Sequence, residues 1–216
     1  MKRNHGWIGV QRQRQHIAKR PAFPTLLTDR LRLRMLRSRD LAFLASLDAN
    51  PHVMRYIHAG VLTREEALFF AQCQVERAPL AVNLHKWLVE SNVDKRPLGW
   101  VEISRFRQAR YRTDGSDDLN LGFEFSPEFW GQGYATESNT AVIDHVFEKL
   151  RVDRIVAYAQ RANARSLRLL ERLGFFIDGE CQDDAMNLCT FLVLTERAWR
   201  SRRKQQSAKR SSDRST

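Results

Sequence analysis

Gly131 and Gly133 stand between a strand pattern and a helix pattern, where a chain can hold an anion. The loop reads Trp130-Gly131-Gln132-Gly133-Tyr134-Ala135-Thr136. Before it, Leu119, Leu121, Phe123 and Phe125 alternate with Asn120, Gly122 and Glu124, the period of a half-buried strand, which Ser126-Pro127-Glu128 ends. After it, Val142, Val146 and Leu150 recur at helical spacing beside Ile143 and Phe147, which predicts a helix from about Thr136 to Leu150. The first N–H groups of such a helix lack internal partners, and the helix dipole adds partial positive charge there. Glycines allow a phosphate close to those groups. A lone Gly-x-Gly also fits a tight turn with no ligand.

Two nucleotide readings fail on spacing. A Walker loop requires Lys-Ser or Lys-Thr after its last glycine, and here Tyr134-Ala135 follows. A dinucleotide fingerprint requires a third Gly or Ala where Thr136 stands, and an acid ending the next strand, whereas Asp153 precedes it. Cys73, Cys181 and Cys189 lack Cys-x-x-Cys spacing, so neither a disulfide framework nor a zinc site is indicated. No apolar run approaches membrane-spanning length, and the N-terminus has no apolar signal core; the expectation is a cytoplasmic protein with no membrane partner.

The formal net charge of +11 is confined to the ends of the 216 residues. Residues 1–24 carry +6 and residues 197–216 carry +7, leaving −2 between them. Both ends are polar and lack a sustained apolar period, as flexible arms do. They serve either as solubilising tails or as salt-sensitive contacts to RNA or the ribosome.

Phe129 to Glu137, followed by Asn163-Ala164-Arg165-Ser166 and by Glu171-Arg172-Leu173-Gly174-Phe175, resembles the GNAT acetyltransferases, specifically the branch that acetylates ribosomal-protein N-termini. Leu27-Thr28-Asp29-Arg30-Leu31-Arg32-Leu33-Arg34 resembles that branch's opening strand, so the resemblance spans about residues 25 to 200. It implies acetyl-CoA as co-substrate and requires no metal. By position, Gly131, Gln132, Gly133, Tyr134, Ala135 and Thr136 would cradle the cofactor pyrophosphate. Phe123 to Phe125 would line the pantetheine arm and polarise the carbonyl through backbone amides, and Asn163 would hydrogen-bond the cofactor arm or the acceptor. The tyrosine acid of many relatives is replaced by Leu170, and Ser166 is the implied proton donor to the thiolate. Trp130 stands where the wider family has Arg or Gln, a departure common in this branch.

Glu124 projects from the polar face of the strand that should border the thioester, which makes it the candidate base. Glu102 and Glu137 are weaker candidates, and Asn120 stands where the branch often carries an acid.

The positioning elements follow from local signals. Arg39-Asp40 opens a helix through Asp48, Thr63-Arg64-Glu65-Glu66 is a capping box, and Trp87–Glu90 and Leu98–Ile103 read as paired strands. Ile155–Ala159 is a strand, Asn163 caps a helix that Gly174 stops, and Phe175–Glu180 pairs with Leu188–Thr195 around an acidic turn. Strand, glycine loop, helix and strand make one parallel βαβ unit.

The expected fold class is α+β: a GNAT-like mixed, mostly antiparallel sheet with one parallel βαβ unit, flanked by helices. The expected organisation is a basic arm (1–24), a catalytic domain (25–200) and a basic tail (201–216), in a monomer or homodimer. The expected activity is acetyl transfer from acetyl-CoA to a primary amine, a small molecule or a protein N-terminus. The alternative is a non-catalytic acyl-CoA-binding module tethered to RNA by its tails.

Overall fold

A computed structural model describes residues 24–57, 60–77, 85–106, 118–183 and 185–212. The arm before residue 24, the connection 107–117 and the last four residues lie outside the described residues.

Eight strands form one sheet: β1 (Leu26–Leu27), β2 (Leu31–Met35), β3 (His85–Ser91), β4 (Pro97–Arg105), β5 (Leu119–Phe125), β6 (Arg154–Gln160), β7 (Phe176–Gln182) and β8 (Leu188–Thr195). Their spatial order is β1-β2-β3-β4-β5-β6-β8-β7. Among the described residues only β5 and β6 pair in parallel, joined by the expected helical crossover, so the α+β architecture read from the sequence is the one found. The helices are α1 (Leu41–Asp48), α2 (Pro51–Met54), α3 (Arg64–Arg77), α4 (Tyr134–His145), α5 (Ala164–Leu173) and α6 (Glu196–Ser212).

Strand alternation sends Leu33, Trp87, Val101, Leu121 and Ile155 to one face, where α4, α5 and α6 cover them with Val142, Leu170 and Trp199. On the other face, α1 and α3 lay Leu44, Ala67 and Ala71 over Leu88 and Trp100. The capping box forms as read: the Thr63 N–H donates to Glu66 Oε2 at 2.8 Å and the Glu66 N–H to Thr63 Oγ1 at 3.3 Å.

Two elements differ from the sequence reading. The helix predicted to Leu150 stays α-helical to His145 and finishes as a π turn, Val146–Leu150, closed by Arg151 with φ 52°. Apolar spacing marks the buried stripe in either geometry and does not reveal the widened turn. The stretch expected as a tail from residue 201 continues α6 to Ser212. Trp199 anchors that helix, stacked on Phe147 at 5.0 Å and donating from Nε1 to Asp144 at 2.6 Å. One aromatic anchor among charged residues leaves no helical period to read.

A buried ionic group ties β2 to β3 and α1. The Arg34 guanidinium donates to Glu90 Oε2 at 2.7 Å and to both Asp40 oxygens at 2.8 and 2.9 Å, with all three residues buried. The hydrogen bond to Asp40 raises the Arg34 pKa, against an opposing effect of burial. Arg34→Met would leave two carboxylates enclosed without their cation, a change that typically costs about 3–5 kcal/mol. Urea unfolding at neutral pH should show that loss as a lowered midpoint with an unchanged slope.

Candidate active site

β5 and β6 pair at only two positions, Leu119↔Ile155 and Asn120↔Val156, and then separate. The parting opens a cleft of about 700 Å³ between the end of β5, the glycine loop, the start of α5 and the end of α2. It brings Glu124, Gly131, Gly133, Asn163 and Ser166 to one space, with Phe123, Phe125, Tyr134, Ala135 and Thr136 also on its walls. Gln132 is exposed on the loop, where its side chain donates to the Glu128 carbonyl at 2.8 Å.

The loop has the backbone an anion cradle requires. Gly131 and Gly133 have φ of 78° and 84°, a region L side chains rarely adopt, and a Cβ on Gly131 would meet nothing within 4 Å. Gly133 is the N-cap of α4, so the unpaired amides of the first turn begin where the open space lies.

Arg30, from the turn before β2, clamps this loop from outside. It donates to the Gln132 carbonyl at 3.1 Å, stacks over Tyr134 at 4.5 Å and binds Glu137 Oε2 at 2.7 Å. Thr28 and the Arg30 amide also donate to Glu137. Burial favours the protonated form of Glu137, yet these bonds outweigh it and hold its pKa below the ordinary value. Glu137 is thereby occupied as an anchor.

Trp130 joins the two sides of the cleft: its Nε1 donates to the Phe125 carbonyl at 2.8 Å, and the Arg165 guanidinium lies 4.0 Å from its ring centre. Asn163 caps α5 by accepting from the Ser166 N–H at 3.2 Å, which leaves the Ser166 hydroxyl on the cleft wall.

Glu124 is the electrostatic outlier. Its pKa is pushed up to about 7, first by burial, then by the charges of Asp48 and Glu102, against the opposing effects of Lys86 and a hydrogen bond from Trp100. Its Oε2 is enclosed without a hydrogen-bond partner. A carboxylate half-ionised near neutrality suits acceptance of an amine proton at cellular pH.

The sequence reading missed several cleft residues. Arg165, Arg168 and Arg172 line one wall from α5, and their spacing of three and four along one helix face was the signal available. His52, Arg55 and Tyr56 come from α2 and the turn after it, an element too short to announce itself. Glu102 sits one strand away from the cleft wall, paired with Lys86 at 3.2 Å. Among the described residues no group of His, Cys, Asp and Glu side chains is arranged to hold a metal ion. No described helix is long and apolar enough to cross a membrane.

The family model described as "Acetyltransferase (GNAT) domain" matches residues 30–176. The chain is 29% identical to the uncharacterized N-acetyltransferase YoaA of Bacillus subtilis, over 73% of this chain and 85% of the relative. It is 24% identical to a protein named spermidine N(1)-acetyltransferase of Escherichia coli, over 74% of this chain and 86% of that one. The fold matches a solved GNAT acetyltransferase from Bacillus anthracis with TM-score 0.67 and 20% identity, covering 81% and 99% of the two chains.

The raised pKa of Glu124 has a stability consequence with a definite sign. Ionisation is harder in the folded state than in the unfolded one, so the protein loses stability as pH rises from about 4.5 through about 7. Glu124→Gln removes that loss: relative to the parent it should gain stability between pH 5 and 8, on the order of 3 kcal/mol. Paired urea titrations at the two pH values check it; a constant difference would contradict the shift.

Proposed function

The chain belongs to the GNAT acetyltransferase family and is an acetyl-CoA-dependent N-acetyltransferase; from that premise we propose that Glu124 and Ser166 carry the transfer to a primary amine. The observation that carries this reading is Glu124, with an enclosed oxygen that has no hydrogen-bond partner, in the same cleft as an open glycine cradle. The left-handed glycines and the free space at Gly131 fit the pyrophosphate of acetyl-CoA, which supplies the activated acetyl group.

The amides of Gly131 to Thr136 hold the pyrophosphate, Arg30 keeps them in place, and the guanidinium groups of Arg165, Arg168 and Arg172 attract the phosphates. Phe123 to Phe125 and Asn163 line the cleft, where the β5 backbone would hold the pantetheine arm and supply amides to the carbonyl and Asn163 would orient the arm. Glu124 takes the proton of the attacking amine as the C–N bond forms. The Ser166 hydroxyl gives a proton to the sulfur as the C–S bond breaks. A protein N-terminus is the acceptor that the sequence resemblance implies.

Residues 25–200 form the catalytic domain in this reading. The basic ends at 1–24 and 201–216 supply salt-sensitive contacts to RNA, supported by the confinement of excess charge there.

Glu124→Gln should lower kcat about 10²–10⁴-fold while acetyl-CoA affinity stays within about threefold, and it should abolish a parent rise of kcat through about pH 7. Ser166→Ala should lower kcat with unchanged affinity. Unchanged turnover in both variants would remove these assignments. Arg30→Ala acts elsewhere: the dissociation constant for acetyl-CoA should rise about tenfold with little change in kcat, as measured by calorimetry and initial rates. Acetyl-CoA and CoA, and not ATP or NADH, should raise the melting temperature.

A further inference from the structure

Given acetyl transfer as proposed above, one wall residue of the cleft still has no part in it: Trp130, at the start of the glycine loop. The direction of each peptide at the end of β5 shows what its indole does. The Ser126 N–H donates to the Leu98 carbonyl at 3.0 Å, toward β4. That peptide is trans, so its carbonyl, that of Phe125, points the opposite way. The residue before it alternates: the Glu124 carbonyl faces β4 so closely that a Cβ on Gly99 would collide with it. The N–H and C=O of Phe125, and by the same alternation those of Phe123, therefore point to the side of β6. The ladder with β6 ends at Asn120↔Val156, and both phenylalanines lie beyond it on the wall of the cleft.

A strand edge without its neighbour offers donors and acceptors in turn. A thioester carbonyl can use only the donors, and an acceptor beside it repels the oxygen as negative charge grows there. Trp130 removes one such acceptor. Its Nε1, a donor with no acceptor function, takes the Phe125 carbonyl at 2.8 Å and leaves the Phe125 N–H toward the cleft. Water could serve the same carbonyl in a cleft of about 700 Å³, but water exchanges and brings lone pairs of its own, which the indole N–H does not.

The indole is held from three sides. The N–H groups of Phe129 and Trp130 donate to the Ser126 and Pro127 carbonyls at 3.0 and 3.1 Å, closing the short turn that brings the ring back to Phe125. The half-buried ring packs against the main core. The Arg165 guanidinium covers its face at 4.0 Å, and Arg165 lies in the first turn of α5 with Ser166, beside the Asn163 cap. The ring thus joins β5 to α5 where the strand has lost its ladder partner.

We propose that Trp130 is the positioning residue of the acyl site. By holding the Phe125 carbonyl it fixes the Phe125–Ser126 peptide and makes Phe125 a donor only, so that the Phe125 N–H is the group offered to a thioester carbonyl. The indole itself touches no reacting atom in this assignment.

The test uses the full chain, acetyl-CoA labelled at the carbonyl carbon, and no amine. Infrared difference spectra read the carbonyl stretch of the bound thioester, and calorimetry reads the affinities for CoA and acetyl-CoA. In the parent the bound carbonyl is expected at a lower frequency than in water. Trp130→Phe keeps a ring under Arg165 and removes the donor; Trp130→benzothienylalanine keeps the bicyclic shape and puts sulfur in place of the N–H. Both should return the stretch at least half-way to its value in water and lower kcat about tenfold or more. CoA affinity should stay within about threefold, and the rise of kcat through about pH 7 should stay in place. If Trp130→Phe alone loses CoA binding, the benzothienyl variant decides. A stretch unchanged in the variants, a parent stretch equal to that in water, or CoA binding lost in both variants overturns the proposal, while turnover by the parent leaves acetyl transfer standing. If acetyl-CoA binds and no amine is acetylated, acetyl transfer fails and the spectra still decide the part of Trp130. A parent that binds no acetyl-CoA overturns both.

Discussion

The parting of β5 from β6 is the constraint on which the rest of the structure depends. Parallel pairing ends at Asn120↔Val156 although both strands continue, so sheet backbone that would otherwise be laddered borders a cleft. Groups leaving a ladder need other partners, and Trp130 supplies one by donating to the Phe125 carbonyl. The loop and helix that cross from β5 to β6 begin at this opening, so a helix N-terminus faces the space the strands vacate. Arg30 then secures the loop from the turn between β1 and β2, tying the cradle to the opening segment of the domain.

The molecule encloses carboxylates in two contrasting ways. Asp40 and Glu90 both accept hydrogen bonds from the guanidinium of Arg34, so each buried carboxylate faces a cation. Glu124 faces other carboxylates and one shared ammonium, keeps an enclosed oxygen without a partner, and titrates near neutrality as a result. The first arrangement fixes β2 against β3 and α1. The second stores an unmet demand for hydrogen-bond donors at the place where a proton must move, a combination common at sites of chemistry.

Much of this was legible in residue order because the signals are local. Alternation at Leu119 to Phe125, the capping box at Thr63 to Glu66 and the Asn163 cap each involve residues a few positions apart, and each formed as read. The π turn after His145 and the long α6 were not legible, since neither leaves a distinct period. α6 depends on Trp199 reaching Asp144 and Phe147, residues more than fifty positions earlier.

By itself the sequence determined the glycine loop, its place between a strand and a helix, the βαβ unit around it and the location of the basic charge. Those features rest on backbone conformation and side-chain periodicity within short windows. Tertiary structure alone decided that Arg30 holds the loop, that three arginines of α5 face the cleft, and that Glu124 shares its surroundings with Asp48, Lys86, Trp100 and Glu102. Burial and through-space charge act between segments far apart in the chain. A carboxylate's pKa is therefore set by how the sheet and helices close around it, which no spacing along one strand can express.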